Sequence, residues 1–382
     1  MKILHTIPGL KLTAGGPPLS VSLTVLGLRD LKVETEILAY DVPSPEQKNI
    51  VTGQFVHLLQ SPKERRFVYS PHFSKWLSEN RNYDLYHVQG VWQYPSFATA
   101  RFARKIKKPY VITPRGMLYP QIFRNNPSVK GILWNLWLKN DLQRAACVHV
   151  TCIEEMEHLR KKGITSPIAV IPNPVDVQHS DKQNLGIKDE VFRVGYLGRI
   201  DPRKNIDRLI TAWYELGTLV EAGELVIIGS GDEVHYQSLK SLVKSLKLKN
   251  VRFLGFLSGQ AKENAINSLS YLAVPSDFEN FGMIVAEALM HGVPVITSKG
   301  TPWEELISYD CGWWIDNDIS TIKNTLVIVM KVSEERRQQM GKNGRSLILE
   351  MYTKEVIALK MKELYEWLIL RNNKPKFVYI NN

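Results

Sequence analysis

Short apolar runs recur along the chain, each closed by Gly, Pro or a polar cluster, and between them lie longer stretches with apolar residues at helical spacing. In the first half, the runs at residues 2–7, 34–39, 85–88, 110–113, 148–151 and 169–171 predict strands. Residues 18–31, with Leu19, Leu23 and Leu26, predict a helix entered through glycines. Residues 97–106 predict an amphipathic basic helix and residues 153–162 another. The rhythm restarts after residue 190, with strands at 193–197, 224–228, 251–255, 272–274 and 294–297 and helices at 206–219 and 237–246. Strands alternating with helices predict βαβ units and parallel sheets.

Ile171-Pro172-Asn173-Pro174-Val175-Asp176 and the polar run behind it read as a linker. The expected organisation is an α/β domain over 1–172, a linker over 173–190, a second α/β domain over 191–352, and a closing segment over 353–382. Residues 354–370 of that segment have apolar positions at helical spacing. In open α/β sheets ligands bind beyond the carboxyl ends of the strands, so the loops that follow strands are the places to look for chemistry.

The chain has 382 residues, enough for two or three domains. It contains no apolar run of about 18 residues, so no membrane-spanning helix is expected. The first apolar stretch is broken by His5 and Pro8 and reads as a strand, not as a signal peptide. Cys147, Cys152 and Cys311 lack metal or disulfide spacing and are expected to be reduced, buried thiols. The formal net charge of +11 lies wholly in residues 1–172, which hold 23 Lys and Arg against 12 Asp and Glu. Arg101, Arg104, Lys105, Lys107, Lys108, Arg115, Arg124, Lys130 and Lys139 carry much of it. Such asymmetry points to an anionic partner: a lipid-diphosphate acceptor, an anionic membrane surface or, ranked third for want of any motif, nucleic acid. A solvated basic surface is the plain alternative.

The segment Glu279-Asn280-Phe281-Gly282-Met283-Ile284-Val285-Ala286-Glu287 follows a buried-strand pattern and reads as loop, then helix from Phe281 onward. Gly282 permits close backbone approach, and a helix start offers free amides to an anion. Glu279 and Glu287 lie eight residues apart, close to one face. Carboxylates and free amides at one strand–helix junction suit a ligand with hydroxyls and phosphate, such as a nucleotide sugar. An exposed capping Glu plus a helix-face Glu is the bland reading.

This run resembles the E-x7-E motif of retaining glycosyltransferases with the GT-B fold, in particular glycosyltransferase family 4. The resemblance spans most of the chain, with tighter motifs in the second half. It implies two Rossmann-like domains with parallel sheets facing a central cleft, and a C-terminal helix that crosses back onto the first domain. Gly198-Arg199 with Lys204-Asn205 resembles the family's G-R-x-x-x-x-K-N loop. Arg199 and Lys204 would then hold diphosphate oxygens, whereas Arg203 would not. Gly15-Gly16-Pro17 resembles the glycine-rich loop that faces the donor phosphates; it lacks the residues of a dinucleotide fingerprint or a P-loop. Gly229 and Gly231 resemble a loop lining the nucleotide side, and Phe256 the residue beside the base. By resemblance Glu279 contacts the donor sugar, Glu287 the ribose hydroxyls, and the backbone at Phe281, Gly282 and Met283 the sugar and phosphate.

One departure stands out. Many members of the family carry a histidine after the strand that here reads Val111-Ile112-Thr113, whereas this chain has Arg115 at or near that place. Pro114-Arg115-Gly116-Met117-Leu118 resembles a subgroup that builds bacterial surface polysaccharides. Arg115 faces a phosphate or the acceptor, or pairs with a surface acid. His87 ends another strand and reads equally as catalytic or as a structural hydrogen-bonding group. The apolar stretch around Trp134 and Trp137 reads as core, or as a face toward membrane, lipid-linked acceptor or sugar.

The resemblance implies transfer of a hexose from a nucleoside-diphosphate sugar, with UDP-glucose preferred, to a glycan or lipid-diphosphate-linked acceptor in bacterial polysaccharide biosynthesis. No cofactor is expected: two cationic side chains stand where other transferases use a metal. The expected location is the cytoplasm, with the basic half available for contact with the inner face of an anionic membrane. Rival readings are a nucleotide-sugar epimerase, or a nucleotide-sugar-binding protein that has lost catalysis; a phosphorylase would need a pyridoxal-phosphate lysine, which no motif marks.

Overall fold

A computed structural model describes residues 1–11, 16–41, 50–61, 67–123, 127–177 and 191–381. Gly15, Arg124 and most of the expected linker therefore lie outside the described residues. The chain divides into two compact units, Met1–Asp176 with Tyr352–Asn382, and Val177–Met351.

The first unit is built on β1 (Lys2–Gly9), β2 (Glu34–Asp41), β3 (Val56–Gln60), β4 (Leu85–Gln89), β5 (Tyr110–Thr113), β6 (Cys147–Val150) and β7 (Ile168–Val170). Among the described residues the sheet runs β7-β6-β5-β4-β1-β2-β3, all parallel, with a short antiparallel strand, Val378–Tyr379, added at the β7 edge. Residues alternate between its two faces because strand side chains have a period of two. Leu4, Tyr86, Val88, Tyr110, Ile112, Val148 and Val150 face one layer, where Phe73, Leu77, Ala100 and Ala103 cover them. Ile3, Leu85, Val111, Cys147 and Ala169 face the other, beneath Ile357, Ala358, Met361, Leu364 and Tyr365 of the C-terminal helix Lys354–Leu370. Each large aliphatic buried there contributes about 1.5–3 kcal/mol, so the helix is an integral part of this core. It lies close against the helix Gly16–Asp30: a Cβ on Gly27 would sit 2.8 Å from the Ala358 Cβ.

Several boundaries differ from the sequence reading. β3 was not anticipated, since an edge strand with alternate residues half exposed has no continuous apolar run. The helix expected at 97–106 is Tyr94–Lys105, because Pro95 fits its first turn. The helix expected at 206–219 stops at Tyr214, and a 3₁₀ turn, Gly217–Val220, opens on a glycine with φ of 55°.

The second unit contains β8 (Arg193–Leu197), β9 (Glu224–Ile228), β10 (Val251–Gly255), β11 (Tyr271–Val274), β12 (Val295–Ser298) and β13 (Gly312–Ile315). They form a wholly parallel sheet in the order β10-β9-β8-β11-β12-β13. The chain winds outward from β8 to β10 and then returns to β11, beside β8. The switch point of this unit therefore lies between β8 and β11, and that of the first unit between β1 and β4.

Candidate functional site

The loops leaving β8 and β11 at the switch point are tied together by hydrogen bonds. The Asp277 amide donates to the Arg203 carbonyl at 2.8 Å. Asn205, at φ of 50°, donates its amide nitrogen to the Pro275 carbonyl at 2.9 Å and to Asp277 Oδ1 at 2.7 Å. Asn tolerates this left-handed backbone and so ends one loop while anchoring the other.

This lacing brings Lys204 and Glu279 into an ion pair, half buried on both sides. Lys204 Nζ and Ser276 Oγ both donate to Glu279 Oε1, the latter at 3.0 Å. Oε2 has no partner among the described residues, and neither do the other two Nζ protons. Arg199 is exposed and makes no ion pair among the described residues. Arg203, in contrast, is spent: its Nε and Nη2 both bond to Asp201 at 2.8 Å. That contact, more than any other, holds the Asp201 carboxyl down to about 2.

Gly282, at φ of 79°, is the N-cap, so the helix starts at Met283 and not at Phe281 as the apolar pattern suggested. A Cβ on Gly282 would lie 3.3 Å from Trp303 Nε1, and that indole nitrogen donates to the Phe281 carbonyl. Phe281 is buried against Trp303, with ring centroids 5.2 Å apart. Met283 is partly exposed, and the first amides of its helix have no intrahelical acceptor. Glu287 does not share the lysine of Glu279: its Oε2 lies 2.6 Å from Lys262 Nζ. Lys262 and Trp303 belong to no motif, and nothing in their sequence spacing singles them out.

Gly229 and Gly231 are glycines for a packing reason. A Cβ on Gly229 would be 1.8 Å from the Gly198 carbonyl oxygen, and one on Gly231 2.1 Å from that of Ile200. The loop after β9 thus lies directly on the loop that carries Arg199. Phe256, just past β10, is 58% exposed.

In the first unit, Gly16 opens the helix Gly16–Asp30. Arg115 has a left-handed backbone, φ 55°, rare for a side-chain-bearing residue. The turn is held by buried Glu155, which accepts from the Gly116 amide at 2.6 Å and the Thr151 amide at 3.1 Å. Arg115 Nε donates to Gln89 Oε1 at 2.9 Å; Nη1 donates to Ser20 Oγ at 2.7 Å and Asn173 Oδ1 at 3.2 Å. Among the described residues Nη2 has no partner and no carboxylate pairs with this guanidinium. It is therefore not the surface ion pair offered as one reading of the sequence. Burial pulls its pKa down to about 10, so it remains a cation at neutral pH.

His87 is fully buried, with Nδ1 2.6 Å from the Tyr365 hydroxyl and Nε2 2.6 Å from Thr113 Oγ1. Both ring nitrogens are occupied by protein, which is the structural alternative of the sequence reading. The three cysteines are free and buried. Among the described residues no helix is long and apolar enough to cross a membrane.

Two family models match the chain in tandem: a glycosyl transferase 4-like domain over residues 15–174 and glycosyl transferases group 1 over residues 177–347. An uncharacterised glycosyltransferase of Methanocaldococcus jannaschii is 24% identical over 93% of this chain and 95% of its own length. The O-antigen biosynthesis glycosyltransferase WclY of Escherichia coli is 23% identical over 75% of this chain and 79% of its own. Among solved structures, sucrose-phosphate synthase of Thermosynechococcus elongatus aligns with a TM-score of 0.77 at 19% identity, covering 97% of this chain and all of that one. HepE of Anabaena, solved with UDP and glucose, aligns at 0.72 and 18%, over 96% and 99%. Two Rossmann-like units with parallel sheets, matched in tandem by these models, make this chain a member of the GT-B glycosyltransferases of the glycosyl transferase 4-like and group 1 type.

Proposed function

We propose that this glycosyltransferase moves a hexose, with retention and without a metal ion, from a nucleoside-diphosphate sugar to a glycan or lipid-linked glycan acceptor in bacterial polysaccharide or glycolipid assembly. The observation that carries this reading is the Lys204–Glu279 pair at the switch point beside unpaired Arg199. Glu279 holds Lys204 by one oxygen and one proton, which leaves two ammonium protons for phosphate and one carboxylate oxygen for a sugar hydroxyl. As the bond from the anomeric carbon to the diphosphate oxygen breaks, the electron pair stays on the diphosphate. Lys204, Arg199 and the amides at the Met283 helix start stabilise that growing charge. The acceptor hydroxyl forms the new bond to the anomeric carbon and passes its proton to the departing diphosphate oxygen. Glu287, braced by Lys262, takes the ribose hydroxyls, and exposed Phe256 lies beside the base.

UDP-glucose is the favoured donor, a choice supported by the Anabaena neighbour solved with UDP-glucose. One relative is by name GDP-mannose-dependent, so the test is a panel of UDP-, GDP- and ADP-sugars read by thermal shift and by release of nucleoside diphosphate. Stabilisation by a UDP-sugar alone, with UDP release, is expected. Stabilisation by a GDP-sugar alone would overturn the donor assignment, and binding without turnover would favour the inactive binding protein.

The basic first unit supports peripheral contact with an anionic membrane. Val129, Ile132 and Leu136 are each more than half exposed along two consecutive short helices that also carry Lys130, while Trp134 and Trp137 pack toward the core. Co-sedimentation with phosphatidylglycerol vesicles, weakened by salt and by Leu136→Asp, is the expected result.

A further inference from the structure

On the face of the first sheet covered by the C-terminal helix, four strand residues are each followed two positions later by a polar one. Ile3 precedes His5, Leu85 precedes His87, Val111 precedes Thr113, and Cys147 precedes His149. These polar side chains form a buried row across β1, β4, β5 and β6, and Tyr365 reaches into it from the helix above. His5 and His87 lie directly opposite in the β1–β4 register, at the switch point.

The row has a direction that its two ends impose. A guanidinium can only donate and a carbonyl can only accept. At one end His149 Nε2 lies 2.8 Å from the Ile171 carbonyl oxygen, so Nε2 carries the proton and Nδ1 accepts. Thr113 Oγ1, 2.9 Å from that Nδ1, must donate to it, and therefore accepts from His87 Nε2 at 2.6 Å. His87 Nδ1 then accepts from the Tyr365 hydroxyl at 2.6 Å, and the tyrosine oxygen accepts from His5 Nε2 at 3.1 Å. His5 Nδ1 accepts from the Gln89 amide at 3.3 Å. At the other end the Gln89 carbonyl accepts from Arg115 Nε at 2.9 Å, which independently fixes that amide's orientation. Reasoning from either end gives one and the same proton arrangement: three neutral histidines, all Nε2–H.

We propose that this one-way chain, from Arg115 through Gln89, His5, Tyr365, His87, Thr113 and His149 to the Ile171 carbonyl, sets the position of the Arg115 guanidinium, and that Tyr365 is a positioning residue for sugar transfer. The proposal rests on the reading that Arg115 presents its free Nη2 to an anionic group of a substrate. Hydrogen bonds aligned head to tail polarise one another, and the cation at the head strengthens each donor behind it. Asn173, two residues past the chain's end, accepts from Arg115 Nη1, so the far end is tied back to the same side chain. The left-handed backbone at Arg115 needs such support, since strained residues persist where their surroundings over-determine them. Burial also disfavours protonation of all three imidazoles, in keeping with the neutral forms.

The test begins on the full chain with ¹⁵N-labelled histidine and no substrate. Two-bond ¹H–¹⁵N spectra at pH 7, assigned by single substitutions, are expected to show His5, His87 and His149 as Nε2–H tautomers. An Nδ1–H form or an imidazolium at any of the three overturns the chain. Tyr365→Phe removes both the donor to His87 and the acceptor of His5. It is expected to lower kcat about tenfold or more with donor KM nearly unchanged, because misplacing a group that acts in the transition state costs turnover. Thr113→Val should do the same, and Thr113→Ser, which keeps the hydroxyl, should restore turnover. Wild-type kcat in folded Tyr365→Phe and Thr113→Val overturns the positioning role. A wild type that transferred no sugar would sink the functional reading, and the tautomers would still decide the chain.

Discussion

The Tyr365 hydroxyl lies 2.6 Å from His87 Nδ1, although 278 residues separate them. The last long helix thus completes the polar interior of the first sheet. No local pattern around either residue announces the contact, and its consequences can be measured.

Acid should destabilise this unit well before most carboxylates protonate. Burial pushes His5 and His149 down to about 3 and 4, and His87 well down too, with neighbouring imidazoles and Arg115 adding like charge. Their unfolded values are about 6.5. From about pH 6.5 downward the unfolded chain therefore binds protons that the folded chain refuses, and stability falls with pH by up to about 1.4 kcal/mol per unit per histidine. In the second unit, Asp201, depressed to about 2 by Arg203, loses its contribution only below pH 4 or so. Melting temperatures across pH 7 to 4 check the sign; a flat profile would contradict it.

Lys204→Ala and Arg199→Ala should each lower kcat by roughly 100-fold, the usual cost of removing one donor from a developing anion. Arg203→Ala should reduce activity only a few-fold, since its guanidinium is occupied by Asp201. Steady-state kinetics on the three variants separates the roles. Equal losses for all three would point to general loop disruption.

Gly229→Ala should unfold or severely weaken the second unit. The new methyl would meet the Gly198 carbonyl oxygen at 1.8 Å, on a backbone with φ of 146°. Overpacking and strain together cost about 3 kcal/mol or more. Gly163→Ala meets nothing within 4 Å and bears only its φ of 78°, so it should cost roughly 1 kcal/mol. Urea midpoints compare them.

Turnover should survive prolonged treatment with EDTA and gain nothing from added Mg²⁺ or Mn²⁺, because Lys204 and Arg199 supply the charge that a divalent ion would otherwise bring. Loss of activity in EDTA, restored by one of these ions, would falsify metal independence.

Much of the architecture was legible from periodicity. Tyr110–Thr113, Arg193–Leu197, Glu224–Ile228 and Val251–Gly255 are strands with the bounds their apolar runs implied, and Lys354–Leu370 is a helix with the bounds of its own pattern. Buried parallel strands are apolar on both faces and stand out between turns. Val56–Gln60 and Val251–Gly255 are both edge strands with alternate residues exposed, which weakens the pattern, and only the second was read. Arg199, Lys204, Glu279 and Glu287 were singled out by resemblance to family motifs, and spacing could not tell that Glu279 pairs with Lys204 while Glu287 pairs with Lys262.

Local information determined the succession of strands and helices and the cations after β8, since each depends on residues a few positions apart. Tertiary structure alone decided which polar groups meet. His5, His87, His149 and Tyr365 converge because four parallel strands and a returning helix bring distant segments into one layer. Hydrogen bonds form between atoms about 3 Å apart whatever their separation along the chain, and that proximity exists only once the sheet has closed.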